Sequence, residues 1–345
     1  MDRRSFLKKS GLLVAGAVVA PYGSAITGKN DTVQRTITIL HTNDIHGRWE
    51  PFPVSAGKWA GKGGINHLAN RIDAERRRSS NLLLLDAGDF ISPVGKSLNG
   101  RHHAKALFKA MKQMGYDAIV PGNAEFSMGR EALANQVKES GITALGANYF
   151  IQDKQLKDSL QTYRVFEKGG VKIGVFGIGA HLKPLVKPEN SQGIRWRPPE
   201  HIARAMVRNL KKYEQCDLVI CLSHLGFSYG AHQNLLADHP ETQKMPYDAY
   251  QTERWLQAQK NKRPARTIVH SDLALAESVP GIDLIIGGHT HHKIESSYVV
   301  NQGGEQETLI TQTGAYGLQL GKIEVTFQAQ KQGWIKRKIN PLLSI

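Results

Sequence analysis

The stretch TITILHTNDIHG, residues 36–47, predicts both the fold and the chemistry of this chain. Its first five residues are apolar or β-branched, and a run of this length and composition is typical of a buried strand. A polar turn follows at once and carries Asp44 and His46, two side chain types that bind metal ions. The stretch therefore predicts a strand with functional side chains at its carboxyl end.

The same pattern, an apolar run followed by a polar turn, recurs along the chain. The runs are 36–40, 82–86, 117–120, 143–146, 172–179, 217–223 and 282–288. Segments with the apolar spacing of helices alternate with several of them, at 64–78, 101–115, 129–139 and 199–213. Alternating strands and helices predict an α/β fold with largely buried strands.

Other segments depart from this alternation. Four strand-like runs joined by turns form the tail, at 296–300, 307–312, 320–327 and 333–338. Residues 162–167 and 171–177 flank a Lys-Gly-Gly turn and predict a hairpin. The stretch PGNAEFSMG (121–129) is rich in Gly, Asn and small residues, which predicts a turn. Residues 227–270 form a polar insertion, which either covers the mouth of a site or is a solvated surface segment.

The first 25 residues have the features of an export signal. A basic start is followed by the short apolar run LLVAGAVVA and by small residues, and Arg3-Arg4-Ser5-Phe6-Leu7-Lys8 resembles the twin-arginine type. The alternative is an uncleaved anchor, but the apolar run is shorter than the roughly 20 residues of an ordinary span. We therefore expect export to the periplasm or the extracellular space, followed by a linker at 26–35 and one catalytic domain at 36–345.

Composition and charge indicate a globular protein with a basic surface. The chain has 345 residues, 40% of them hydrophobic, and a net charge of +15. Removing the signal takes away four Lys or Arg and one Asp and leaves +12. A basic surface attracts anionic partners, or the charge is simply dispersed. No nucleic-acid-binding motif accompanies it, so we expect no nucleic acid partner, and no later apolar run is long enough to span a membrane.

The two cysteines do not predict a disulfide. Cys216 and Cys221 lie on one predicted strand, where five residues separate them by about 16 Å, too far for a bond. We expect two buried thiols.

Seven nitrogen and oxygen donors follow the apolar runs directly. They are Asp44, His46, Asp89, Asn123, His224, His289 and His291. Carboxyl ends of strands form the edge at which open α/β sheets bind ligands. Seven donors are too many for one tetrahedral ion, and mixed imidazole, carboxylate and amide groups suit zinc, manganese or iron. The set predicts two divalent ions sharing one carboxylate, the arrangement of hydrolytic centres that act on phosphoryl groups. The alternative is that some of these histidines only cap turns.

These motifs, in this order, resemble the calcineurin-like metallophosphoesterases. The segments ILHTNDIHG, LLLLDAGDF, YDAIVPGNAEF, SHLG and IIGGHTH together resemble the 5'-nucleotidase branch, over residues 36–327. The resemblance implies a four-layer αββα sandwich of two mixed β-sheets.

The resemblance also implies roles for the seven donors. One metal is held by Asp44, His46 and His291, the second by Asn123, His224 and His289, and Asp89 bridges them. A bridging hydroxide then attacks phosphorus in line, with Asp89, Asn123 and His224 as the catalytic residues and a small phosphorylated compound as substrate.

The chain departs from this family at the asparagine turn. The usual motif, G-N-H-[ED]-F-D, carries a His that assists the leaving group and an Asp that orients that His, whereas Ala124 and Ser127 stand at these positions here. General acid assistance is typically worth about 10²–10⁴-fold, and most for a poor leaving group. His102 or His103 could replace the lost His, although nothing in the sequence aims them at the site.

The second departure is length, because full 5'-nucleotidases add a C-terminal domain that binds the nucleoside. We expect no such domain here, so that a separate chain supplies nucleoside recognition or the substrate is not a nucleotide. The sequence thus favours a two-metal phosphoesterase lacking its leaving-group acid. One alternative is a catalytically impaired metal-binding homologue that acts as a partner protein, and a lesser one is hydrolysis of a sulfur ester, since the related thiosulfohydrolases also depart at this His.

Overall fold

The structure is a computed structural model that describes residues 33–92, 100–227, 270–300, 307–330 and 333–342. The side chains of residues 100–102, 295–300, 337 and 342 are outside this description. The predicted export signal at 1–25, most of the linker at 26–35 and most of the insertion at 227–270 also lie outside the described residues.

Strands and helices alternate through the first two thirds of the described chain. The strands are β1 (Gln34–Thr42), β2 (Leu82–Asp86), β3 (Ala118–Ile119), β4 (Thr143–Leu145), β5 (Tyr149–Ile151), β6 (Leu160–Gln161), β7 (Tyr163–Lys168), β8 (Val171–Ile178), β9 (Ile194–Trp196), β10 (Leu218–Ser223), β11 (Leu284–Ile286), β12 (Lys293–Val300), β13 (Glu307–Thr313), β14 (Gly321–Gln330) and β15 (Gly333–Leu342). The helices are α1 (Ile65–Arg78), α2 (Gly100–Met114), α3 (Asn123–Ser127), α4 (Arg130–Ser140), α5 (Lys154–Ser159), α6 (Pro188–Ser191), α7 (Pro199–Arg208) and α8 (Asp272–Ser278).

Two mixed sheets carry most of these strands, as expected from the sequence. The first has the order β15-β14-β1-β2-β3-β4-β6, in which β1, β2, β3, β4 and β6 run parallel, and β14 pairs antiparallel with both β1 and β15. The second has the order β12-β13-β11-β10-β8-β7, with four parallel strands in its centre. A separate ribbon pairs β5 with β9. Parallel strands at the centre of both sheets bring their carboxyl ends to one edge of each sheet.

Three apolar cores separate four layers. Alternate residues of β2 belong to the first two of these cores. Leu82 and Leu84 pack among α1, α2 and α4, whereas Leu83 and Leu85 pack against the second sheet. On the outer side of the second sheet, Val219 and its neighbours pack against α7 and α8. Strands with apolar residues on both faces explain the continuous apolar runs in the sequence. The αββα sandwich is therefore confirmed.

Most predicted elements are present, with small shifts at their ends. The hairpin forms between β7 and β8, and both cysteines are buried, free thiols. The interpretation of 121–129 as a simple turn was wrong, because it contains the helix α3. A strand was also missed at β5, where only a turn was expected, since its partner β9 lies about forty residues further along the chain. Among the described residues, no helix is long and apolar enough to cross a membrane.

Candidate metal centre

The seven predicted donors lie on turns at the carboxyl ends of parallel strands. Asp44 and His46 follow β1, Asp89 follows β2, and the other four follow β3, β10 and β11. Backbone hydrogen bonds join the first two turns, because Asp44 N donates to Gly88 O (2.8 Å) and His46 N donates to Asp89 O (2.9 Å). These turns are thus fixed relative to each other by the backbone itself.

Two further contacts join the second sheet to the first at this edge. The ring Nδ1 of His224 lies 2.6 Å from Ala87 O, a hydrogen-bonding distance. The backbone N–H of His289 donates to Asp44 Oδ2 at 2.9 Å. The carboxyl ends of the two sheets therefore meet, and the donors converge from both.

Five of the predicted donors form two clusters of ligand atoms. Asp44, His46 and His291 make one cluster, Asp44, Asp89 and His224 make the other, and in each cluster the ligand atoms lie within 4.8 Å of one another. Asp44 Oδ1 lies 3.8 Å from His46 Nε2 and 3.5 Å from His291 Nε2. Asp89 Oδ1 lies 3.4 Å from His224 Nε2. The carboxylate common to both clusters is Asp44, whereas the sequence predicted that Asp89 is shared.

The other two donors border the second cluster. The His289 ring lies 5.0 Å from the His224 ring, centroid to centroid. Asn123 begins α3, and the next residue, Ala124, donates its backbone N–H to Asp89 Oδ1 at 2.7 Å. The structure thus gathers all seven at one edge, and five of the six His and Asp donors lie within common ligand-atom clusters.

Buried polar atoms without hydrogen-bond partners test whether these residues fit metal ions. Among the described residues, Asp44 Oδ1, Asn123 Oδ1 and His224 Nε2 are buried and have no such partner. Buried polar atoms nearly always find one, because leaving them unpaired costs free energy. Two oxygens and an imidazole nitrogen, each a good metal ligand, are left available at one place, which fits divalent cations.

The backbone at the centre is strained in a way that supports a functional site. Seven described residues other than glycine have a positive φ, and five of them are predicted donors. These five are Asp44 (52°), His46 (49°), Asp89 (55°), His289 (73°) and His291 (54°). Residues other than glycine rarely adopt this left-handed backbone conformation. Each residue that does so costs on the order of 1–3 kcal/mol of folding free energy. Strain concentrated in a few turns is typical of functional sites.

Charges at the centre are strongly coupled. Burial alone would raise the pKa of Asp89, but the charge of His224 lowers it below its ordinary value. Burial would likewise raise the pKa of Asp44, but the charge of His291 helps to lower it below its ordinary value. Burial is the largest single influence on His224 and lowers its pKa, but the charges of Asp89 and Asp44 and hydrogen bonds together raise it to about 10. Burial and then the charge of His224 lower the pKa of His289 to about 4. The two carboxylates stay ionised and draw positive charge into the centre.

Two glycines allow the turns to approach this closely. A Cβ atom at Gly122 would lie 2.2 Å from Asp89 Oδ1, and one at Gly88 would lie 2.8 Å from His224 Nδ1. Real Cβ atoms are not found at such distances, so the turns of β2, β3 and β10 are in direct contact because these positions lack side chains.

Two residues that contact the donors were not predicted from the sequence. Asn43 donates to Asp44 Oδ2 (2.7 Å) and accepts from the backbone N–H of Thr313 (2.8 Å). Tyr316 donates its backbone N–H to Asp44 O (2.7 Å), and its ring lies 5.6 Å from that of His46. The signal for Tyr316 was present in the sequence, because it lies in a Gly-rich turn that follows the predicted strand at 307–312.

The structure also describes the positions where the family motif is broken. Ala124 is fully buried in the core beneath the first sheet. The Ser127 hydroxyl donates to Ala124 O at 2.6 Å, within its own helix. The Nε2 atom of His103 lies 2.9 Å from Gly47 O, and the side chain of His102 is outside the described residues.

Comparisons with known proteins agree with this site. A model of the calcineurin-like phosphoesterase family matches residues 37–293. The chain is 31% identical over 263 residues to a 5'-nucleotidase of Vibrio cholerae, covering 75% of this chain and 40% of that protein. It is 30% identical over 307 residues to a 5'-nucleotidase of Vibrio vulnificus, covering 85% and 49%. The crystal structure of a 5'-nucleotidase precursor from Thermus thermophilus is similar in fold, with a TM-score of 0.66 at 24% identity, over 90% of this chain and 55% of that one.

The chain spans about half or less of the length of these two curated relatives. The family match nevertheless covers most of this chain and contains all seven donors. The chain belongs to the calcineurin-like phosphoesterase family, in its 5'-nucleotidase branch.

Proposed function

We propose that this chain is a two-metal phosphoesterase that hydrolyses small phosphate esters with acidic leaving groups. The observation that supports this best is the pair of ligand-atom clusters that share Asp44, together with the unpartnered Asp44 Oδ1, Asn123 Oδ1 and His224 Nε2. Homologous 5'-nucleotidases support hydrolysis of phosphate esters in general.

In the proposed assignment, Asp44, His46 and His291 would hold one ion, Asn123, His224 and His289 would hold the second, and Asp89 would serve both. Zinc, manganese and iron all suit this donor set. When bound, two such ions acidify a water molecule and neutralise the charge of a phosphoryl group.

The residues of the chain have separate tasks in this proposal. Asp44 and Asp89 supply the negative charge that draws cations into the centre, since the pKa values of both are held below the ordinary range. The hydrogen bond from His224 Nδ1 to Ala87 O orients the ring so that Nε2 faces the Asp89 carboxylate. The buried, unpartnered Oδ1 atom of Asn123 would be available to the second ion, and the N–H groups of the amide could donate to a phosphoryl oxygen.

The leaving group receives no proton from the asparagine turn. Ala124 has no ionisable group, and the Ser127 hydroxyl already donates to Ala124 O. His103 is engaged with Gly47 O rather than placed at the turn. A missing general acid typically slows departure of an alkoxide by about 10²–10⁴-fold but matters little for a phenolate, so aryl phosphates are the better substrates.

The residues Ala124 and Ser127 also favour a second candidate function, that of a metal-binding homologue without turnover. In that case the chain binds two ions and serves as a binding or partner protein. The intact set of seven donors supports the enzyme, because binding alone does not require two ions at one phosphoryl-sized site.

We further propose that the protein acts in the periplasm or outside the cell after twin-arginine export. In this proposal residues 1–25 are the export signal, 36–345 form the catalytic domain with its insertion at 227–270, and a separate chain supplies any nucleoside recognition. Export of the folded, metal-loaded domain is consistent with a site built from turns of both sheets.

Steady-state kinetics on a panel of phosphate esters tests the proposed function. Metal-loaded protein should hydrolyse aryl phosphates far faster than alkyl phosphates or AMP, with kcat/KM rising as the leaving group becomes more acidic. Asp44→Asn should abolish this activity, whereas Asp283→Asn, a buried carboxylate at the opposite ends of the strands, should retain it. Metal binding without turnover on any ester would support the second candidate instead.

A further inference from the structure

Glu125 lies in the same helix as Asn123 and Ala124 but has no role in the function proposed above. Its side chain is fully buried. Its carboxylate accepts three backbone hydrogen bonds, from Asp89 N (2.9 Å), Ile91 N (3.0 Å) and Gly122 N (2.8 Å). A carboxylate bonded by three N–H groups through both oxygens is held in one position.

A local explanation accounts for only one of these bonds. Glu125 is the third residue of α3, and a glutamate there commonly bonds back to the N–H group that precedes the helix, here that of Gly122. The bonds to Asp89 and Ile91 reach 36 and 34 residues back along the chain, into the turn after β2. A helix cap does not need them, so the side chain also joins two turns.

The two turns joined by Glu125 carry predicted metal ligands. Asp89 follows β2 and Asn123 follows β3, and the same oxygen, Glu125 Oε2, accepts the N–H groups of Asp89 and of Gly122, the residue before Asn123. Asp89 has the strained φ of 55°. Such strain persists only where surrounding contacts over-determine it, and the bond from Asp89 N is one of these contacts.

We propose that Glu125 is a positioning residue that fixes Asp89 and Asn123 relative to each other for metal binding. The inference rests on the proposed function, because the separation of these two residues matters only if both hold metal ions. Glu125 does not replace the absent imidazole, since both of its oxygens are engaged by N–H donors and the side chain is buried. The asparagine turn thus lacks the two family residues that handle protons, at Ala124 and Ser127, but it keeps Glu125 as a positioning residue.

Two variants separate this role from general stabilisation. Glu125→Gln has the same size but replaces one acceptor oxygen with an NH₂ group, so at least one of the three N–H groups loses its acceptor. Glu125→Asp keeps the carboxyl group but withdraws it by one methylene group. Asp283→Asn is the matched control, because Asp283 is buried and accepts a backbone hydrogen bond from Val219 N (2.8 Å) away from the metal ligands.

The experiment is a calorimetric titration of metal-free protein with Mn²⁺. We expect Glu125→Gln to weaken binding by about 10–100-fold, the usual effect of removing a partner of a metal ligand, and Asp283→Asn to bind as the unchanged protein does. Electron paramagnetic resonance of the loaded protein should show altered coupling between the two ions in Glu125→Gln, which a merely stabilising role would leave unchanged. If Glu125→Gln does not fold, Glu125→Asp is expected to show the same weakening.

Two results distinguish the inference from the function on which it rests. Unchanged protein that binds Mn²⁺, with Glu125 variants that bind it equally well and with the same coupling, overturns the role of Glu125 and leaves the proposed function standing. Unchanged protein that binds none of Mn²⁺, Zn²⁺ and Fe²⁺ overturns the proposed function itself.

Discussion

Asp44 and Asp283 are both buried carboxylates at strand ends, yet their surroundings differ. Asp283 precedes β11, accepts from Val219 N (2.8 Å), and forms ion pairs with Lys336 and with Lys211 (3.5 Å). Asp44 follows β1, and its Oδ1 atom accepts no hydrogen bond although two imidazoles lie within 4 Å. A carboxylate paired with lysines stabilises the fold, whereas one left partly unpaired among imidazoles is available to a cation.

The same contrast holds for the backbone at the two ends of the strands. At the amino ends, Asp117 and Asp217 accept backbone N–H groups of Leu84 (2.9 Å) and Lys172 (2.8 Å), as Asp283 does. At the carboxyl ends, the donor turns hold left-handed residues and unpartnered atoms. Five of the seven described left-handed residues other than glycine therefore lie in the donor turns, where ligand binding would offset their cost.

The largest effect is expected when each of the two carboxylates is replaced by asparagine in a separate variant. Asp44→Asn should weaken metal binding by at least about 100-fold and abolish hydrolysis, because changes in groups that merely support a ligand already cost 10–100-fold. Asp283→Asn should instead lower the free energy of unfolding by roughly 1–3 kcal/mol while metal affinity is kept. Calorimetry and denaturant unfolding measure the two quantities, and equal metal affinities in the two variants would contradict the contrast.

The next effect concerns the proton-handling positions of the asparagine turn. Ala124→His together with Ser127→Asp should raise kcat/KM on alkyl phosphates by up to about 10²–10⁴-fold, because it restores a general acid and its orienting carboxylate. Turnover of aryl phosphates should change little. The ratio of kcat/KM on alkyl phosphates to kcat/KM on aryl phosphates is therefore the internal control. If the double variant folds and binds metal but gains nothing on alkyl esters, the leaving-group explanation is wrong.

A smaller effect is expected from a buried histidine outside the donor set. His41 is buried in β1, and burial lowers its pKa from 6.5 to about 3. The unfolded chain then binds more protons than the folded one between these values, so stability is complete above about pH 6.5 and falls as the pH is lowered toward 3. In chelator-containing buffer, the free energy of unfolding should fall by up to about 1.4 kcal/mol per pH unit from this residue.

The matched variants for this prediction are His41→Gln and His201→Gln. His201 lies exposed on α7. His41→Gln should flatten the pH dependence between about pH 4 and 6, and His201→Gln should leave it unchanged. Equal slopes in both variants would show that His41 is not the residue responsible.

The smallest effect is expected from Ser127→Ala. Its hydroxyl donates within α3, to Ala124 O, so its removal should change the free energy of unfolding by about 1 kcal/mol or less. Turnover on aryl and alkyl phosphates should stay as in the unchanged protein. A large loss of turnover would mean that Ser127 handles protons after all.

The sequence predicted the features that depend on local pattern. Buried strands such as β2 appear as continuous apolar runs because both faces pack against other layers, and the residue after each run marks the edge where ligands gather. All seven predicted donors were chosen in this way, and the structure brings them to one edge. Family membership followed from the same motifs and is confirmed.

Other features depend on contacts between distant segments and could not be predicted. The strand β5 exists because it pairs with β9, and three residues alone carry too little periodicity to show it. The helix α3 has only five residues, and its Glu125 bonds to a turn more than thirty residues away. That Asp44 rather than Asp89 is common to both clusters also depends on how the two sheets meet.

The most direct test of the central claim is the metal content of the purified, folded protein. Elemental analysis after dialysis in Zn²⁺, Mn²⁺ or Fe²⁺ buffers should find about two equivalents of metal per chain with at least one of these ions, as a two-ion centre requires. Chelation should remove them, and Asp283→Asn should carry the same amount. A protein that is folded but retains no metal, or that retains metal equally after Asp44→Asn, would contradict the account.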